Sequence, residues 1–196
     1  MAQMSGLLWR TRSENDDSPE DRRMIRRVLE AAFHTTAEAD LIDALREDPE
    51  HWISRYSIIG MTTAIPDSEL ETTAAAHAVL HRCTISGADA GAEAGAVTAT
   101  EALMLAPSGV LPQHHGEGGG TAVIEAALAA AQADGAALVI VYGFPDYYPR
   151  FGFVPAADHG ITAEFADQPE ALQVRILAAD VPVPSGQVRL PAAYGV

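Results

Sequence analysis

A chain of 196 residues, 48% of them hydrophobic, is long enough for one domain with a sizeable core and too apolar to be disordered. Its formal charge is −15, from 27 acidic against 12 basic side chains, and every basic residue is an arginine. That balance repels nucleic acid and anionic membranes and favours a cationic partner such as an amine, although a genome-wide acidic bias gives the same composition. Cys83 is the single cysteine, so no intrachain disulfide can form, and its apolar surroundings mark it as a core residue. Met1 to Arg12 lacks the apolar centre of a signal peptide, and no apolar run approaches the ~18 residues of a membrane span. A cytoplasmic protein is expected.

In chain order, Leu7 to Thr11 can form a first strand. Ser18-Pro19-Glu20-Asp21 is a helix start, with a capping serine, a proline in the first turn and acids at the positive dipole end. Ile25, Val28, Leu29, Ala32 and Phe33 then recur at helical spacing as one buried face, with Arg22, Arg23, Arg26 and Arg27 mostly on a solvated one. Thr35-x-x-Glu38 is a capping-box pattern for a second helix carrying Leu41, Ile42 and Leu45, ended by Asp48-Pro49. Strands are expected near Trp52 to Thr62 and Ala74 to Ile85, with Pro66 and Asp67 in the turn between them. Ser86 to Gly95 reads as a flexible hairpin loop. A fourth strand follows from about Val97 to Leu111, with a break expected near Pro107. After a glycine turn, a helix runs from Thr121 to Asp134, and Ala136 to Tyr142 is a continuous apolar run of buried-strand type. Asp146 to Phe151 reads as a short helix, and Gln173 to Leu177 and Gln187 to Leu190 as late strands. The order β-α-α-β-β-β-α-β-α-β describes an α/β layer around one mixed sheet.

Gln113-His114-His115-Gly116-Glu117-Gly118-Gly119-Gly120 joins the fourth strand to the alanine-rich helix. A strand that ends in glycines at a helix N-terminus makes an anion cradle, because unpaired N–H groups and the helix dipole point at one spot. Glycines let the main chain approach a phosphate without a Cβ in the way. The alternative is a turn that only joins strand to helix. A nucleotide-binding P-loop needs Gly-Lys-(Ser/Thr), and the chain has no lysine.

Two patches, in this order, resemble the GNAT superfamily of N-acetyltransferases. Val110-x-Pro112 followed by His115-x-x-Gly118-x-Gly120 is similar to its (Gln/Arg)-x-x-Gly-x-(Gly/Ala) pyrophosphate loop. Tyr147-Tyr148-Pro149-Arg150-Phe151-Gly152-Phe153-Val154-Pro155 is similar to its Tyr-x-(Arg/Lys)-x-Gly-Phe segment. The tail from Ser185 to Pro191 looks like that of a subgroup of small bacterial acetyltransferases. The resemblance implies one domain over residues 1–196, with a core at 5–158 and C-terminal strands and tail at 159–196. Its fold would be a single mixed, mostly antiparallel twisted sheet with helices on both faces. It also implies acetyl-CoA as cosubstrate and a small-molecule or peptide amine as acceptor. No metal is implied, and a homodimer is among the assemblies it allows. The pyrophosphate would lie on the amides of Gly116, Glu117, Gly118, Gly119, Gly120 and Thr121, with His115 donating a hydrogen bond. The pantetheine arm would pair like an extra strand with Ser108, Gly109 and Val110.

The sequence departs from the pattern at three positions. His115 stands for Gln or Arg, Glu117 for a residue that is often basic, and Val141 for an asparagine seven residues before the tyrosine. A carboxylate ~6 Å from one phosphate charge costs ~0.7 kcal/mol in water and ~3 kcal/mol at an effective dielectric of 20. For the chemistry, Tyr148 is the expected acid for the departing sulfur and a backbone N–H near Val110 the expected donor to the carbonyl oxygen. Glu101 is the first candidate base. His77 and His81, on one face of the third strand, are others; their spacing also suits a metal, without an evident third ligand, and a satisfied surface role is the bland alternative for each. Tyr147 is expected to pack and Arg150 to form a structural ion pair. The competing reading is a non-catalytic acyl-CoA-binding or partner-binding relative, altered at Glu117 and Val141.

Overall fold

The computed structural model describes residues 8–63, 72–88 and 97–195. Helix α1 (Pro19–Phe33) begins as its sequence dictates: the Ser18 side chain accepts from the Asp21 amide, and Pro19 takes a position where a missing N–H costs nothing. It ends at His34, whose φ of 59° is left-handed. Ile25, Val28 and Leu29 are buried as the spacing predicts, whereas Phe33 is 39% exposed. Helix α2 (Ala37–Arg46) starts where the Thr35 hydroxyl accepts from the Ala37 amide. Arg26 is more than a solvated charge: it bonds Glu30 on its own helix and Asp40 and Asp43 on α2.

The strands are β1 (Leu8–Ser13), β2 (Ser57–Thr63), β3 (Thr72–Ala88), β4 (Val97–Val110), β5 (Leu138–Tyr142), β6 (Val154–Pro155), β7 (Ile161–Thr162), β8 (Leu172–Ile176) and β9 (Gly186–Arg189), with α3 (Gly119–Ala133) between β4 and β5. They form one mixed, mostly antiparallel sheet with the path β1-β2-β3-β4-β5-β8-β6; β9 pairs with β3 and β7. The β4–β5 and β7–β9 pairs are parallel. Helices cover both faces, and among the described residues none is long and apolar enough to cross a membrane.

The chain divides into two compact units that interleave in sequence. The first draws on Met1–Asp43, Ser54–Val79 and Pro107–Ala130, the second on Ala44–Ile53, Leu80–Ala106 and Ala131–Val196. In the first, β1 and β2 pair antiparallel, and β2 pairs with β3 across an irregularity at Gly60/Met61. A Cβ at Gly60 would meet Val123 of α3 at 2.7 Å, and one at Gly109 would meet Ala32 of α1 at 2.9 Å. Helix approach thus requires glycine at both positions. In the second unit, Cys83, Ile85, Met104, Ile140, Leu172 and Val174 belong to one buried cluster. Cys83 is a core residue as expected, and burial pushes its thiol up to about 12, so it is no nucleophile at neutral pH.

Several sequence expectations need correction. Strand β4 runs unbroken through Pro107, so the break expected there is absent. Ser86 to Ala88 belong to β3 rather than to a flexible loop, because Ser86 pairs with Gln187 of β9. The rest of that predicted loop, and the turn with Pro66 and Asp67, lie outside the described residues. The short helix expected at Asp146 to Phe151 is a single 3-10 turn, Tyr148–Phe151, closed by Gly152 at φ 80°.

Candidate active site

The glycine turn lies in the first unit. Leu111 is buried and its amide bonds to the Ala75 carbonyl, which fixes the exit from β4. Pro112 opens a 3-10 turn to His114, in which His114 and His115 donate to Leu111 and Pro112. Gly116 (φ 78°) and Gly118 (φ 90°) are both left-handed, and a Cβ at either would meet nothing within 4 Å. Glycine is needed there for backbone conformation, and the space in front is open. The Ala122 amide makes the first bond back, to Gly118, so by helix geometry the amides of Gly119, Gly120 and Thr121 have no partner in the preceding turn. This is the N-terminus of a 15-residue helix, the end at which unpaired amides and the helix dipole favour negative charge.

The side chains of the turn are engaged among themselves. The His115 Nε2–H donates to the Val110 carbonyl at 3.1 Å, so a neutral His115 ring keeps no second N–H for a phosphate. The Nε2–H of His115 is thus directed at the main chain rather than at the space before the glycines. The Glu117 carboxylate accepts from His114 Nδ1 at 2.7 Å, which holds its charge beside an imidazole. Trp9 of β1, unremarked in the sequence, donates its indole N–H to the Glu117 carbonyl at 2.7 Å.

The tyrosine segment lies in the second unit. Tyr148 opens the 3-10 turn after β5, and its ring meets Tyr147 and Phe153 edge-on with centroids 5.1 and 5.8 Å away. A Cβ at Gly143 would fall 2.6 Å from Tyr148 Cε2 and 3.3 Å from its hydroxyl. Gly143 therefore leaves the room in which this tyrosine sits, a constraint the sequence did not announce. Tyr147 packs against Phe151, as expected. Arg150 has a structural role with different partners from the predicted ion pair: it donates to the Tyr147 carbonyl and stacks over the Tyr147 ring at 4.4 Å.

The candidate bases fall elsewhere. Glu101 is 73% exposed and lies 3.7 Å from Arg82. The register places Met104 beside Ile140, hence Ala106 level with Tyr142, and Glu101 roughly 17 Å back along the strand at ~3.3 Å per residue. That is outside proton-transfer reach of the end of β5 where Tyr148 sits. His77 and His81 share a face but are fully buried, not on the surface. Ser57 donates to Glu14 at 2.6 Å and accepts from His77 Nε2 at 2.9 Å, a buried polar chain in the first unit. In the second unit, His81 donates from Nδ1 to the Arg82 carbonyl and accepts at Nε2 from the Tyr194 hydroxyl at 2.8 Å.

Burial lowers His81 from 6.5 to about 4. Between those values the unfolded chain takes up a proton that the folded chain refuses, so stability falls as pH drops through this window. A flatter denaturant midpoint against pH is expected for His81→Gln than for wild type; parallel profiles would count against it.

No family model matches the chain. A curated relative from Escherichia coli K12, the uncharacterized N-acetyltransferase YjhQ, is 31% identical over 142 residues, covering 72% of this chain and 69% of its own. A GNAT acetyltransferase from Brucella melitensis, solved with acetyl-CoA, aligns over 95% of this chain and 98% of its own at 26% identity and a TM-score of 0.67. The Escherichia coli GNAT protein YhbS, solved with CoA, covers 100% of this chain and 96% of its own at 22% identity, and its TM-score of 0.74 supports the shared fold. The glycine turn, the sheet that carries it and the identity to YjhQ lead to one assignment: the chain belongs to the GNAT family of N-acetyltransferases.

Proposed function

We propose that the chain transfers the acetyl group of acetyl-CoA to a primary amine by direct attack, in the cytoplasm and without a covalent enzyme intermediate. The observation that carries this is the glycine turn: Gly116 and Gly118 are left-handed with open space before them, at the start of α3. Such a cradle fits a pyrophosphate. In this reading the amides of Gly116 and of Gly118 to Thr121 hold the pyrophosphate, the Glu117 amide being bonded to the His114 carbonyl, and the main chain of Ser108, Gly109 and Val110 pairs with the pantetheine arm. The amine nitrogen forms the C–N bond as the C–S bond breaks, the thiolate takes a proton from Tyr148, and the nitrogen loses one to water. A backbone N–H near Val110 stabilises the carbonyl oxygen. A small-molecule or peptide amine is the acceptor class, and the acidic charge of −15 favours such a cation.

Calorimetric titration with acetyl-CoA, followed by a screen of amines for free-thiol release, tests the reading. Binding without thiol release from any amine would favour the non-catalytic alternative. Absence of binding would overturn both.

Glu117 offers a graded test. Its carboxylate opposes phosphate charge, while His114 holds it to one side at 2.7 Å. Glu117→Arg is expected to tighten acetyl-CoA binding by a few-fold or more at low salt and less at high salt. Unchanged affinity at low ionic strength would show that the charge never reaches the ligand.

A further inference from the structure

We propose that Trp9 is a positioning residue for the coenzyme, aiming the Gly118 amide into the pyrophosphate cradle; this rests on the acetyl-CoA reading above. Trp9 lies on β1, opposite Thr62 of β2, far in sequence from the turn it touches. It meets that turn at three points. Its Nε1–H donates to the Glu117 carbonyl at 2.7 Å. Its six-membered ring fills the space that a Cβ at Gly119 would need. The His114 ring packs against it edge-on, with centroids 6.2 Å apart and an interplanar angle of 86°.

The hydrogen bond has a geometric consequence. A trans peptide is planar, so the N–H of Gly118 points opposite to the Glu117 carbonyl. By taking that carbonyl, the indole turns the Gly118 amide away from itself. Glycine at φ 90° puts little resistance in the way of the opposite peptide orientation, in which a carbonyl would replace the amide. A carbonyl oxygen facing a phosphate repels it, whereas an N–H binds it. The ring against Gly119 fixes the start of α3 in the same contact, so the Gly118 amide and the first helical amides are set together. Gly119 is thus a glycine required by Trp9 rather than by the ligand, unlike Gly116 and Gly118.

The test replaces Trp9 by phenylalanine and, separately, by β-(3-benzothienyl)alanine, which keeps a bicyclic ring of nearly the same shape without the N–H. Calorimetry measures the Kd of acetyl-CoA, and competition measures that of S-acetyl-pantetheine, which has no pyrophosphate. Loss of one neutral hydrogen bond is expected to weaken acetyl-CoA about tenfold in both variants, with S-acetyl-pantetheine unchanged. Equal weakening of the two ligands would show a general structural role, and no weakening of either by the benzothienyl variant would show that the N–H does not matter; each overturns the proposal. Wild-type protein that holds S-acetyl-pantetheine as tightly as acetyl-CoA would instead sink the underlying assignment of pyrophosphate to the turn, so the two failures are separable.

Discussion

Tyr148→Phe is expected to lower the maximal rate by ~10²–10⁴-fold while leaving acetyl-CoA affinity near that of wild type. The ring contacts with Tyr147 and Phe153 involve only the aromatic body, which phenylalanine retains. What is lost is the hydroxyl, and in the proposed reaction its proton moves only as the C–S bond breaks. A phenol at pKa ~10 giving its proton to a thiolate whose acid has ~8.5 is uphill by only ~2 kcal/mol, a gap that modest tuning closes. The defect therefore belongs in kcat and not in coenzyme binding. Gly143→Ala supplies a second arm, since its Cβ would come within 2.6 Å of the Tyr148 ring. It should lower kcat in the wild-type background and add little once Tyr148 is phenylalanine, because the displaced hydroxyl is already gone. Steady-state rates with a saturating amine, beside calorimetry, check both. A loss of tenfold or less in Tyr148→Phe would reduce Tyr148 to a packing residue and leave water as the proton source.

What could be read from the chain follows from how far apart the interacting residues lie. Ser18, Pro19 and Asp21 fix the start of α1 within three residues, and the glycine turn sets φ at its own positions. Both were legible because each residue carries its own backbone preference. The family segments were legible for the same reason, being short and contiguous. By contrast, Trp9 reaches Glu117 across 108 positions and His81 reaches Tyr194 across 113. No spacing rule connects such pairs. Strand alternation correctly put His77 and His81 on one face, but it cannot say that this face is buried, nor that Ser57 bonds both His77 and Glu14. Glu101 was a candidate base as an acid on the fourth strand; how far along that strand it lies from the end of β5 comes from the β4–β5 register, which composition does not contain. The two-residue strands β6 and β7 are too short to show a period at all.

Gly118→Asp should raise the Kd for acetyl-CoA by at least 100-fold. The position is suited to a clean experiment. Gly118 has φ 90° and open space where a Cβ would project, so a side chain there creates no clash. The backbone cost of a left-handed residue is of order 1–2 kcal/mol and is smallest for Asp and Asn, which visit that region most readily. Gly118→Asn carries nearly the same cost without the charge and is therefore the control. The carboxylate of the Asp variant would project in front of the unpaired amides of the α3 N-terminus, where it competes with the pyrophosphate for the same donors and repels it. One charge pair at 4 Å is worth about 4 kcal/mol at an effective dielectric of 20, close to a thousandfold in affinity. The Asn variant should weaken binding by about tenfold or less, and the gap between the two should narrow as salt rises, since the site is open to solvent. Thermal melts of both variants, expected to lie close together, separate lost binding from lost fold. If Gly118→Asp binds acetyl-CoA as tightly as wild type, the pyrophosphate does not lie on this turn, and the open face before Gly116 and Gly118 serves only to join β4 to α3.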